Sequence, residues 1–196
     1  MSNFCFKARQ HLDYGEDWID KRVNDTRARC LKYCEAKKIV VADCDGILTD
    51  GKSSYTSSGK TSKVYGAYDK EAIDLLSKLG WDFVFVTSDR AGECITESRL
   101  KHLENHNGSI KHTAADPSER FNIVESLIDD GYKVLFIGDS LSDIRTLNIA
   151  TWAATTANAP DEVKAFCEYV SALSGGDGGF GDILLAFDYK LRREEW

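Results

Sequence analysis

Acidic side chains occur at two places in this sequence with a spacing that could hold a cation. Asp43 and Asp45 lie two residues apart in DCDG, and Asp139 and Asp143 lie four residues apart in GDSLSD. Carboxylates brought together repel one another unless a cation holds them, and oxygen ligands alone favour a hard ion such as Mg²⁺. These four residues therefore predict a magnesium site, provided that the fold unites them.

A third polar stretch, FVTSDR, adds the groups that bind a phosphoryl group. Thr87 and Ser88 carry hydroxyls, and Arg90 or another cation could neutralise phosphate oxygens. Taken singly, each of the three motifs is also typical of a turn, a helix cap or a calcium loop. Since an aspartate can also attack phosphorus, the combination favours phosphoryl transfer assisted by Mg²⁺.

The segments around these motifs predict how they are brought together. KIVVADCD, WDFVFVTSD and YKVLFIGDS read as buried strands, with amphipathic helical segments between them. Strands alternating with helices predict an α/β fold whose mostly parallel sheet is covered on both faces. Each polar cluster follows one strand, so all three are expected at the carboxyl edge of the sheet, where ligands collect.

Two segments depart from this alternation and define the predicted organisation. Residues 51–66 are rich in Gly, Ser and Thr and alternate locally, with turn signals at Asp50-Gly51 and Ser58-Gly59, and predict a β-hairpin flap after the first strand. Residues 1–36 predict an N-terminal helical extension with a narrow apolar stripe. Residues 37–196 are predicted to form the catalytic domain.

Composition limits the class of protein. The chain has 196 residues, 42% of them hydrophobic, and a formal net charge of −7, which argues against a nucleic-acid surface. No apolar run reaches the length of a membrane span, and the N-terminus lacks the core of a signal peptide. We expect a soluble cytoplasmic protein that binds a small-molecule phosphate ester.

The three motifs resemble those of the haloacid dehalogenase (HAD) superfamily of Mg²⁺-dependent phosphohydrolases. The first motif of that family is DxDGxxTD, and this chain has DCDGILTD; FVTSDR and GDSLSD match its second and fourth motifs. The resemblance implies a Rossmann-like three-layer fold. It also implies hydrolysis of phosphate esters through an aspartyl-phosphate intermediate.

The likeness is closer to one branch, the small phosphatases without a cap domain that are typified by 3-deoxy-D-manno-octulosonate 8-phosphate (KDO 8-phosphate) phosphatase. LTDG, the glycine-containing hairpin and ANAPDEVKAFCEYVSALSGGDGGFGDIL are similar to segments of that branch. This implies a sugar-acid or sugar phosphate substrate. It also implies a homotetramer in which the flap of one subunit helps close a neighbour's site, and no large cap.

The resemblance assigns roles residue by residue. Asp43 is expected to attack phosphorus, whereas Asp45 is expected to protonate the leaving oxygen, activate water and bind Mg²⁺ through its carbonyl. Asp139 is the expected carboxylate ligand of the ion, with Asp143 as ligand or support. Ser88 and Gly46 are expected beside the phosphoryl oxygens.

Several positions depart from the pattern of the branch. The branch carries a lysine in its third motif. In this chain the apolar pattern aligns Arg120 with that position, and Lys111 is the alternative. Asp89 adds a negative charge next to the expected phosphate. Substrate-rim positions are predicted at Thr87, Asp69, Lys70 and Arg90.

Two other functions stay open. The same core could serve a nucleotide or nucleic-acid-end phosphatase, although the acidic charge disfavours this. A scaffold without catalysis would be expected to carry a broken first motif, and both Asp43 and Asp45 are intact.

Overall fold

The computed structural model of the protein describes residues 36–103 and 110–193. Within these residues strands and helices alternate along the chain. The strands are β1 Lys38–Asp43, β2 Thr49–Thr56, β3 Gly59–Tyr65, β4 Trp81–Thr87, β5 Ile110–Ala114, β6 Lys133–Ile137, β7 Trp152–Thr155 and β8 Tyr169–Val170. The helices are α1 Asp69–Lys78, α2 Glu93–Leu103, α3 Pro117–Asp129, α4 Ile144–Leu147, α5 Asp161–Lys164 and α6 Gly179–Arg193.

Six strands form one parallel sheet in the order β5-β4-β1-β6-β7-β8. β1 lies in the middle of this order, with β4 on one side and β6 on the other. The predicted α/β fold with a parallel central sheet is confirmed. The three strands that precede the polar motifs are therefore direct neighbours.

The sheet is covered on both faces, as the apolar strand sequences require. Val40 and Ala42 of β1 point into a core shared with α1, α2 and α6, where Phe180 and Phe187 are fully buried. Ile39 and Val41 point to the opposite side, toward α3. This alternation along one strand makes three layers, because side chains two apart share a face.

The hairpin after β1 is a separate two-stranded sheet of β2 and β3. The strands pair antiparallel from Thr49 opposite Tyr65 to Thr56 opposite Gly59, where a positive φ of 113° suits glycine at the turn. The hairpin spans 49–65, close to the predicted 51–66. We call Thr49–Tyr65 the flap.

Three elements were not predicted from the sequence. β5 and β8 are short strands at the two edges of the sheet, and α6 follows a glycine-rich segment that read as a tail. The pattern of DEVKAFCEYV predicts a regular helix over the whole segment, but α5 ends at Lys164. That prediction is wrong, because Tyr169 and Val170 pair with β7 and extend the sheet.

Other sequence predictions have mixed outcomes. The helical periodicity of DKEAIDLLSKLGW predicts Leu75 on the inner side of α1, together with Ala72, Ile73 and Leu76. The last three are buried, but Leu75 is 38% exposed. The predicted N-terminal helix lies almost wholly outside the described residues. Within the described ranges, no helix combines the length and the apolar character needed to cross a lipid bilayer.

Candidate active site

The ends of the three central strands bring the predicted polar residues together. Asp43 is the last residue of β1, Ser88 follows β4, and Asp139 follows β6 by one glycine. In the sheet register Asp43 is level with Val86, and Ala42 is level with Ile137. The motifs therefore meet at the carboxyl edge of the sheet.

Arg120 connects residues from all three strand ends. One terminal nitrogen of its guanidinium donates to Asp43 Oδ2 at 2.8 Å and to Asp143 Oδ1 at 2.7 Å. The other donates to Ser88 Oγ at 3.1 Å, and Nε donates to the Ala115 carbonyl at 3.3 Å. The planar guanidinium suits this bridging role because its donors lie in a fixed fork. We call Asp43, Ser88, Arg120 and Asp143 the arginine network.

Helix α3 delivers Arg120 to this position. Asp116 caps the helix by accepting from the backbone of Ser118 and Glu119, and the Glu119 side chain accepts from the Asp116 amide. This capping box fixes the first turn, from which Arg120 points into the site with only 2% exposure. The alternative residue, Lys111, is exposed on β5. Its backbone is level with that of Val84, three residues before β4 ends.

Burial and crowding alter the acidity of two carboxyls. Burial raises the pKa of Asp43 to about 7; Arg120 opposes this increase, and the Asp143 charge adds to it. Burial, together with the nearby charge of Asp143, likewise raises the pKa of Asp139 to about 6. Both shifts show that negative charge is unfavourable in this part of the site.

A metal ion fits this cluster. Carboxylate oxygens of Asp43, Asp139 and Asp143 lie within 4.8 Å of one another. Asp143 already accepts from Arg120 with one oxygen, and from the amide and hydroxyl of Ser140 with the other. All the donors are carboxylate oxygens, which suit a hard divalent cation, and such an ion would offset their crowded negative charge.

Gly46 is required by the close approach of the loop after β1 to Asp139. It has a φ of 87°, and a Cβ at this position would overlap with the Asp139 carboxylate. Its carbonyl accepts from Thr156 Oγ1 and Asn158 Nδ2, each at 3.0 Å. Its amide donates to Thr49 Oγ1 at 3.2 Å. The loop is therefore braced from the end of β7, a contact that the sequence analysis did not identify.

Asp45 has different partners from Asp43. Lys63 of the flap lies with its ammonium 2.8 Å from Asp45 Oδ2, and it also donates to Thr96 Oγ1 at 3.0 Å. The side chain of Lys63 is completely buried. The sequence pattern predicts Lys63 only as part of the hairpin. It does not indicate the contact with Asp45, because the two residues are 18 positions apart.

Asp89 is neutralised by the flap. Its Oδ2 accepts from both Lys60 and Lys63, the latter at 2.8 Å, and Oδ1 accepts from the Gly92 amide at 3.1 Å. Burial alone would raise the pKa of Asp89, but the two lysines outweigh it and lower the pKa to about 2. The negative charge that the sequence places beside the phosphate is therefore balanced by two ammonium groups.

The predicted rim residues lie in different surroundings. Thr87 is buried and accepts from the Asp89 amide at 3.1 Å, whereas Arg90 is exposed at the start of a 3₁₀ turn. Lys70 lies 3.5 Å from the Leu103 carbonyl and 3.8 Å from Asp74. Their contact with a substrate stays a prediction.

Asp69 is buried and lies 3.9 Å from Arg99. Burial raises the pKa of Asp69 to about 6, against the opposing effects of Arg99 and the Gly181 amide. Its substrate contact also stays a prediction.

The chain is similar in sequence and in fold to known phosphatases. No family model matches the chain. It is 27% identical over 150 residues to the KDO 8-phosphate phosphatase KdsC of Haemophilus influenzae, covering 74% of this chain and 79% of that protein.

Two solved structures agree with this relationship. The cobalt-bound KDO 8-phosphate phosphatase of H. influenzae has a TM-score of 0.66 at 22% identity, over 81% of this chain and 93% of that one. The Moraxella catarrhalis enzyme, in complex with magnesium, phosphate and KDO, has a TM-score of 0.68 at 20% identity, over 84% and 95%. The predicted resemblance to the KDO 8-phosphate phosphatases is confirmed.

Proposed function

We propose that the chain is a phosphatase of the haloacid dehalogenase superfamily, similar to the KDO 8-phosphate phosphatases, and that it releases phosphate from a small sugar-acid or sugar phosphate such as KDO 8-phosphate. One observation carries the proposal: the Arg120 guanidinium joins Asp43, Asp143 and Ser88 around the end of β1. This places a fixed positive charge beside the carboxylate that we assign as nucleophile.

The two aspartates of the first motif divide the reaction between them. An oxygen of Asp43 attacks phosphorus, the bond to the sugar oxygen breaks, and Asp45 gives its proton to that oxygen. Asp45 then takes a proton from water, whose oxygen attacks phosphorus and frees Asp43 as phosphate departs. Each carboxylate thus returns to its starting state.

Arg120 and Ser88 would orient the transferred group. The guanidinium offers charge to phosphoryl oxygens, and Ser88 Oγ lies 3.1 Å from it, at the exposed side of the site. Gly46 contributes by keeping the loop close to Asp139, since any side chain there would displace the carboxylate. Such preorganised groups stabilise charge without rearranging during the reaction.

We assign Mg²⁺ as the cofactor. Asp43 and Asp139 would hold it, with the carbonyl of Asp45 as a further ligand, while Asp143 supports the site through Arg120 and Ser140. When bound, the ion neutralises charge on both the carboxylates and the phosphate ester.

A phosphate-release screen tests the proposal. The protein is incubated with sugar-acid, sugar and nucleotide phosphates, including KDO 8-phosphate, with Mg²⁺ and again with EDTA. We expect metal-dependent release from a sugar-acid or sugar phosphate. Release mainly from nucleotides would reject the substrate class, and no release from any ester would reject the proposed function.

The oligomeric state and the cellular location are part of the same proposal. A homotetramer and a cytoplasmic location follow from the resemblance and the sequence. Light scattering of the purified full chain measures the first, and a monomer would contradict it.

A further inference from the structure

The contacts between the flap and the end of β4 form a second ionic cluster, of which only Asp45 acts directly in the proposed reaction. It consists of Asp45, Lys60, Lys63 and Asp89, which we call the flap cluster. The side chains of Lys60 and Lys63 are only 8% and 0% exposed, and Asp89 is 18% exposed. Both ammonium groups contact the same oxygen of Asp89.

The charges of this cluster balance only when Asp89 is present. Once Asp45 has given up its proton, two ammonium groups face two carboxylates, one on the loop after β1 and one after β4. Without the Asp89 charge, the largely buried Lys60 would lose its carboxylate partner, and Lys63 would keep only Asp45. Lone buried charges are strongly unfavourable. The two ammonium groups would then repel each other, and β3, the strand that carries both lysines, would be displaced.

The protein backbone around Asp89 is shaped to hold this contact. The Asp89 amide donates to Thr87 Oγ1, and its Oδ1 accepts from the Gly92 amide, so its carboxylate is fixed from the sheet side. Gly92 leaves the necessary space, because a Cβ there would collide with Asp89 and crowd the stems of Lys60 and Lys63.

We propose that Asp89 is a positioning residue that anchors the flap of its own chain through Lys60 and thereby holds Lys63 against Asp45. This inference rests on the proposed function for its catalytic consequence. Asp89 touches no reacting atom in this assignment. It fixes the surroundings of the residue that moves the proton, so its loss lowers kcat and leaves KM little changed.

The test compares the full chain with Asp89→Asn, Lys60→Met and the double variant. Asparagine keeps an oxygen for the Gly92 amide but removes the charge, so a role in capping alone predicts no effect. Two residues outside the cluster provide matched controls: Asp82→Asn, at the exposed start of β4, and Lys52→Met, an exposed lysine of the flap.

Two readouts are taken on each variant. The first is kcat and KM for p-nitrophenyl phosphate and for the best ester of the screen. The second is hydrogen exchange of the peptides covering Thr49–Tyr65. We expect each single variant to lower kcat about tenfold, and the double variant to be no worse than Asp89→Asn. Flap exchange should accelerate in all three variants, with β1 and β4 unchanged.

The outcomes separate the two hypotheses. Losses that multiply in the double variant, or flap exchange unchanged in Asp89→Asn, would overturn the anchoring role. Accelerated flap exchange in a protein that hydrolyses no ester would support the anchoring role while rejecting the proposed function. A kcat unchanged in Asp89→Asn, in a protein that is active as wild type, would overturn the inference.

Discussion

The arginine network and the flap cluster lie on either side of the first motif, and they are built on different supports. The arginine network joins the ends of three sheet strands to a capped helix, and Arg120 and Asp143 are 2% and 0% exposed. The flap cluster relies on a two-stranded hairpin, and Asp45 and Asp89 remain partly exposed. The arginine network is therefore anchored in the core, whereas the flap cluster is anchored on a hairpin outside the core.

This difference explains how two aspartates only two residues apart can do different chemistry. Asp43 ends a buried strand and accepts from the guanidinium of Arg120, whereas Asp45 lies beyond the strand and contacts the ammonium of Lys63. A nucleophile gains from a rigid environment that does not rearrange. A residue that gives and takes protons needs access to substrate and water.

The largest expected effect comes from removing Asp43, the nucleophile that we propose within the arginine network. Asp43→Asn should lower kcat about a thousandfold or more, because the amide does not attack phosphorus effectively. Steady-state phosphate release measures this, with Asp82→Asn as a control that changes an exposed aspartate outside the motifs and outside both clusters. Hydrolysis at the wild-type rate in Asp43→Asn would refute the covalent mechanism.

Removing the divalent ion should act on the arginine network before the flap cluster. EDTA is expected to lower activity at least a hundredfold. Adding Mg²⁺ to the metal-free protein should raise Tm, since the ion binds only the folded carboxylate cluster. Differential scanning calorimetry with Asp139→Asn as the comparison checks this. An equal rise in Tm in that variant would contradict the assigned ligand.

Arg120 tests whether the arginine network needs a guanidinium or only a charge. Arg120→Met should lower kcat/KM about a hundredfold, and Arg120→Lys should recover part of it, because lysine supplies charge without the fork. Arg145→Met is the matched control, since Arg145 is exposed and its Cζ lies 3.7 Å from the centre of the Phe121 ring. Equal rates for Arg120→Met and Arg120→Lys would show that charge is not the deciding property.

Lys63 tests the flap cluster at its contact with Asp45. Lys63→Met should lower kcat about tenfold, less than the loss of Arg120, because Asp45 itself is 30% exposed and stays in contact with water. Lys52→Met, in the same hairpin but exposed, should leave kcat unchanged. A larger loss for Lys63→Met than for Arg120→Met would reverse the ranking of the two clusters.

Asp69 offers the smallest effect, and it belongs to neither cluster. Its folded pKa of about 6 exceeds the ordinary value of 3.8, so the fold favours the neutral carboxyl and loses stability as pH rises from about 4 to about 6. Asp69→Asn should therefore match the wild type near pH 4 and gain a few degrees in Tm at pH 7. Thermal unfolding at both pH values, with Glu71→Gln as control, measures the difference. A gain of equal size at pH 4 would contradict the role of ionisation.

The sequence was sufficient to predict what local patterns carry. Unbroken apolar runs predicted β1, β4 and β6. The polar residues after them predicted the site, because neighbouring parallel strands end at the same edge of the sheet. Arg120 was predicted by aligning the apolar pattern of α3 with the third motif of the family, with Lys111 as the alternative. Short edge strands such as β5 and β8 carry too few apolar residues for a clear signal, and the glycines before α6 concealed its start.

The flap cluster could not be predicted in the same way. Lys60 and Asp89 are 29 residues apart, and Lys63 and Asp45 are 18 apart. Lysine in a hairpin is typical of a solvated surface, and only the folded flap shows that these two are buried. The neutralisation of Asp89 depends on this tertiary contact, so the sequence alone suggested an uncompensated charge.

The capping box of α3 also limits how this chain can vary in length. Asp116 sets the first residue of the helix, and Arg120 follows four positions later. One residue inserted between them would rotate the guanidinium by about 100° around the helix axis, away from Asp43. Insertions and deletions are therefore excluded from this short interval. The exposed turn between Thr56 and Gly59 carries no such constraint, so evolution can lengthen the flap there without moving Arg120.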